Sequence, residues 1–68
     1  MAKSGDYVRL NTPFQPCHTW GQWCYAILSE KVLGGWEAAL VEEGDHLGRS
    51  SCTTVFLQPR SFRVVRRT

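Results

Sequence analysis

The sequence predicts a small all-β single domain spanning residues 1–68. Three observations carry this. Short apolar–polar alternations recur along the chain, Gly and Pro pairs punctuate them, and "CTTVFLQ" is β-branched and aromatic throughout. Five strands are expected, near residues 7–10, 23–30, 36–42, 52–58 and 62–66.

The first follows the turn pair Gly5-Asp6. Val8 and Leu10 share one face, and Tyr7 and Arg9 the other. "NTPFQP" then reads as an extended loop, because its prolines cannot donate to a ladder.

"QPCHTWGQWCYAILSEK" admits two readings. As a helix from Thr19 to about Leu33, it sets Trp20, Trp23, Cys24, Ile27, Leu28 and Val32 near one stripe. Thr19 and Gln22 then form a capping box, and Gly34 a stop. As a strand over 23–30, Cys24, Ala26 and Leu28 oppose Trp23, Tyr25 and Ile27. Gly34-Gly35 then turns the chain into a strand at 36–42. The strand is preferred because Gly21 weakens the first helical turn. Pairing must then override the helical propensity of "WEAALVEE". Pro59 ends the fourth strand, and "FRVVR" forms the last, with Phe62 and Val64 inward.

Five strands, the opening "GDYVRL", the hairpin at "GGW" and the closing "VFLQPRSFRVV" resemble the SH3-like small barrels of bacteria, including Tudor-like and KOW-like domains. The resemblance covers roughly residues 5–66 and concerns fold alone. It implies a five-stranded barrel, a one-turn 3₁₀ helix at "QPRS" before the last strand, and pairing of that strand with the first. A closed barrel would also remove exposed edges.

Chemistry is sparse. Cys17, His18, Cys24 and Cys52 lack the paired spacing of structural zinc sites, so no metal and no cofactor is expected. Cys17 with His18, or Cys52 with His46, are the only cysteine–histidine pairs for nucleophilic catalysis, and so small a chain has little bulk to wall off a substrate. No enzyme, no catalytic residue and no small-molecule substrate is expected. Glu42 and Glu43 read as a solvated turn. Gly34-Gly35 lacks the lysine and helix start of a phosphate loop.

The opening "MAKSGDYVRL" has no apolar core of a signal peptide, no run is long enough to span a membrane, and three cysteines make an odd set. A cytoplasmic protein with reduced thiols and no membrane partner is expected.

Charge divides the chain. Residues 1–47 carry a net −3, whereas residues 48–68 carry five arginines and no acid. Two binding surfaces follow. One is the Trp-rich stretch, with His18, Trp20 and Trp23 as contacts for a protein partner; Trp20, beside Gly21, is expected exposed. Trp20, Trp23, Tyr25 and Trp36 together would make a cation cage or stacking platform, unless two of the three Trp are core. The other surface is Arg9, Arg63, Arg66 and Arg67, for nucleic acid. A protein-interaction module or accessory subunit ranks first, and the nucleic-acid reading second, because a net charge of +2 is weak.

Overall fold

Val8 and Leu10 bury one face of the first strand, and the chain stays extended beyond them. A computed structural model describes residues 2–15, 21–51 and 53–68. It contains five strands: β1 (Tyr7–Phe14), β2 (Trp23–Val32), β3 (Gly35–Val41), β4 (Thr54–Leu57) and β5 (Phe62–Arg66). All are antiparallel neighbours in one sheet, ordered β4-β3-β2-β1-β5.

Strand β1 runs four residues past its expected end, through Pro13. The β1–β2 register shifts between Arg9 and Phe14, so Pro13 lies where the ladder is interrupted. Residues 23–32 are strand, not helix. As the central strand, β2 pairs with β1 on one side and β3 on the other, and these ladders outweigh the local helical stripe. A two-residue loop, Leu33-Gly34, joins β2 to β3. Gly34 has φ +85°, the region a type II turn assigns to glycine. Gly35 is already strand, opposite Val32. It is glycine for a steric reason, since a Cβ there would lie 2.2 Å from the Leu57 carbonyl oxygen.

The core lies on one face of the sheet. Val8, Leu10, Ala26, Leu28, Trp36, Ala38, Leu40, Val55, Leu57 and Phe62 form it, drawn from all five strands. The connection after β3 folds over the other face. Its Gly44 N–H donates to the Tyr7 hydroxyl at 2.6 Å, and Gly48 sits against Ile27. Tyr7 and Val41 are therefore buried although they point away from the core.

The expected 3₁₀ helix is replaced by a β-turn. The Ser61 N–H donates to the Gln58 carbonyl at 2.9 Å, with Pro59 second in the turn. The sheet is also not closed into a barrel. Residues 58–61 join its two outermost strands, which forces the sheet to roll. Strands β4 and β5 nevertheless do not pair, and a cleft lined by Leu10, Pro13, Leu57 and Arg60 lies beside the corner between them.

One buried carboxylate ties the start of the described chain to its end. Asp6 has no exposed surface, and it accepts the N–H groups of Lys3 at 2.9 Å and Thr68 at 3.0 Å. Arg67 lies 4.0 Å away. Burial opposes ionisation of Asp6, but the two N–H bonds and the charges of Arg67 and Lys3 outweigh it and lower its pKa.

Candidate functional site

The face opposite the core gathers the features that chemistry can use. Arg9 on β1 stands directly opposite Arg63 on β5, and both are exposed. Tyr25 faces Arg9 from β2, and the Arg9 guanidinium lies 5.8 Å from its ring centre. Tyr25 also stacks on Tyr7, at 5.2 Å between centres and 4° between planes. The Tyr7 hydroxyl is pushed up from its ordinary pKa, chiefly by burial, and stays neutral.

A register shift in β1–β5 takes the pairing from Val8↔Val64 to Tyr7↔Arg66. The bulge carries Arg66 to a crevice with Tyr7, His46 and Leu47. Arg9, Arg63 and Arg66 thus form a strip along two strands. Arg67 pairs with Asp6, and among the described residues no ion pair joins a carboxylate to Arg9, Arg63 or Arg66. Like charges directly opposed across strands destabilise a sheet by a few tenths to about 1 kcal/mol.

Arg67 plays a different part from its neighbours, because it sits beside the buried Asp6. Sequence reasoning grouped it with the strip. It also missed Asp6, whose partners at positions 3 and 68 leave no local pattern.

The tryptophans separate. Trp36 is buried on the core face, with Lys31 5.8 Å from its ring centre. Trp23 is half-buried, packs against the core and pairs with Phe14, which is 41% exposed. Trp23 and Tyr25 line a cleft with Gln22, Val41, Glu42 and Glu43. Trp36 belongs to the core instead, so these side chains do not converge on one cage. His18, Trp20 and Cys17 lie outside the described residues, as does Cys52.

Asp45 organises the loop beside the strip. Its carboxylate accepts the N–H groups of Gly48, Arg49 and Ser50 and the Ser50 hydroxyl. The Ser50 hydroxyl and N–H lead in lowering its pKa to about 2. This is a structural carboxylate with its acceptor capacity used. Among the described residues, no three of His, Cys, Asp and Glu come together as metal ligands. No helix there is long and apolar enough to cross a membrane. Cys24 is a free, half-buried thiol.

No protein-family model, curated protein or solved structure matches the chain.

Proposed function

We propose that the chain is a non-enzymatic binding module that receives a nucleic-acid backbone on the Arg9–Arg63–Arg66 strip. The observation that carries this reading is the placement of Arg9 directly opposite Arg63 across β1 and β5, with no carboxylate among the described residues paired to either. Two arginines at directly opposed strand positions, with a third one bulge away, suit successive phosphates by bidentate contact. Phosphate contact would also remove the repulsion that the free protein carries. The Tyr25 ring already engages Tyr7 and Arg9, so the strip favours backbone contact over base stacking. The strand order is compatible with an SH3-like fold, which serves binding functions of many kinds and does not itself choose among them.

The sequence ranked a protein partner first, on His18, Trp20 and Trp23. Two of those residues lie outside the described structure. The protein reading keeps one supporting observation, the adjacent Phe14 and Trp23 at the far end of β1 and β2.

Fluorescence anisotropy with a generic labelled DNA or RNA duplex tests the proposal. Three phosphate contacts give a log–log salt slope of roughly −2.7 on duplex DNA. Arg63→Glu with Arg66→Glu should flatten the slope and weaken binding at least tenfold, while Trp23→Phe leaves the slope unchanged. Absence of binding at low salt would reject the proposal. So would binding indifferent to the paired reversal.

A further inference from the structure

The two edges of the open sheet differ in charge, and the difference fits one edge to the other. On β4, Thr54 and Phe56 point outward and Val55 and Leu57 inward. Phe56 is 54% exposed and stands opposite Glu37, which in turn stands opposite Glu30 on β2. Leu33, fully exposed, lies on the adjoining hairpin tip. This edge is apolar with two carboxylates behind it, and β4 itself carries no charge. Natural edge strands are commonly guarded by charge, proline or bulges. Among the described residues, strand β4 has its shortness and Pro59 two positions beyond its end.

At the opposite edge, β5 carries Arg63 and Arg66, with the 53% exposed Val65 between them. Its inner residues Phe62 and Val64 alternate with them, as Val55 and Leu57 do on β4. Over Phe62–Val64 the inward–outward alternation is that of β4, the bulge at Val65 then interrupts it, and the two edges oppose in charge.

We infer that a second copy of this chain docks its β5 edge against β4. The other two junctions are disfavoured. A β4–β4 contact brings Glu37, one strand in from the edge, toward its own copy, and a β5–β5 contact sets Arg63 and Arg66, on the edge strand itself, against theirs. Like-charge juxtaposition opposes both. Beside β4, Arg63 of the second copy meets the Phe56 ring and the Glu37 carboxylate, and Val65 of that copy gains apolar cover. The contact is heterologous, so it leaves one free edge at each end and builds a ring or an open chain. A junction of four or five residues per strand is small, which places the association in the weak range. Arg63 serves both surfaces, so the junction and the proposed strip compete for it, while Arg9 stays on the sheet face; the assembly does not depend on the strip.

Sedimentation velocity on nuclease-treated, nucleic-acid-free protein tests this at low salt across a concentration series. The weight-average mass should rise above the 7.7 kDa monomer with concentration. Glu30→Arg with Glu37→Arg, and separately Arg63→Glu with Arg66→Glu, should each weaken association at least tenfold. Mixing the two variants should restore it, because the basic β5 edge of one fits the unaltered acidic β4 edge of the other. Urea melts of each variant establish that both are folded. A second variant, Phe56→Lys, should also weaken association; mixing it with the Arg63→Glu/Arg66→Glu protein, whose β4 edge is intact, should restore a junction, whereas mixing it with the Glu30→Arg/Glu37→Arg protein should not. A wild-type chain that stays monomeric at millimolar concentration would overturn the inference. Association indifferent to the reversals, or folded variants that fail to recover on mixing, would do the same.

Discussion

Gly35→Ala is the sharpest test of how this sheet is held together. The new Cβ would lie 2.2 Å from the Leu57 carbonyl oxygen, 3.1 Å from its carbon and 3.0 Å from Phe56 Cζ. The Phe56 ring is half-exposed and can swing away, but Leu57 O is backbone. Carbon–oxygen contacts close no nearer than about 3.3 Å, so β4 must retreat by about 1 Å. The pairs Trp36↔Leu57 and Glu37↔Phe56 would be disrupted, and the buried Trp36 would open to water. Overpacking costs about 1–3 kcal/mol, and each lost hydrogen bond adds about 1 kcal/mol. A loss of about 3 kcal/mol follows, from a total of roughly 3–10 kcal/mol for a domain of this size. Gly34→Ala makes the control. Gly34 has the positive φ, yet a Cβ there meets only Phe56 Cζ at 3.9 Å. Its cost is the left-handed backbone alone, about 1–2 kcal/mol. Urea melts followed by tryptophan fluorescence would compare the two. A Gly35→Ala protein within about 0.5 kcal/mol of wild type, or less destabilised than Gly34→Ala, would refute the reasoning.

Three further outcomes are expected. Asp6→Asn should lower stability by about 1–3 kcal/mol, because it replaces an acceptor of two N–H bonds with a group that carries donors of its own; a melt unchanged from wild type would mean that Asp6 does not latch the two chain ends. Asp6 and Asp45 both have lowered pKa values, so their contribution is complete above the usual 3.8 and is lost as pH falls through the folded value, about 2 for Asp45. Stability should therefore drop between about pH 4 and pH 2, and Asp45→Asn should make that drop shallower; an equally steep drop in the variant would contradict the loop assignment. Thiol titration of the unfolded, non-reduced protein should find Cys17, Cys24 and Cys52 all free, and fewer than three would contradict the reading from their odd number.

Much of the strand pattern was legible because it rests on alternation. Tyr7–Leu10, the β4 run and "FRVVR" each show period-two patterning, and the structure has strands at all three places. Residues 23–32 were ambiguous, since their apolar positions satisfy a helical stripe and a strand face together. Only the two flanking ladders separate these, and ladders are non-local. The second half of β1 was hidden by Pro13, which local rules assign to a loop. Gly34-Gly35 read as one turn signal, but the two glycines have different causes. Gly34 answers the backbone, whereas Gly35 answers the approach of Leu57, 22 positions along the chain. The arginines were visible as a cluster, while their arrangement was not. Whether Arg9 faces Arg63, and whether Arg66 lies beside Tyr7, depends on register and on one bulge. Closure was the main overreach, because alternation fixes which residues face inward and does not fix whether the last two edges meet.

The most direct test of the binding surface is a two-dimensional amide NMR titration with a short nucleic-acid duplex at low salt. The amides of residues 7–10, Tyr25 and 62–66 should shift first and furthest, and added salt should reverse the shifts. Shifts confined to Phe14 and residues 21–24, or no shifts at all, would contradict the proposal.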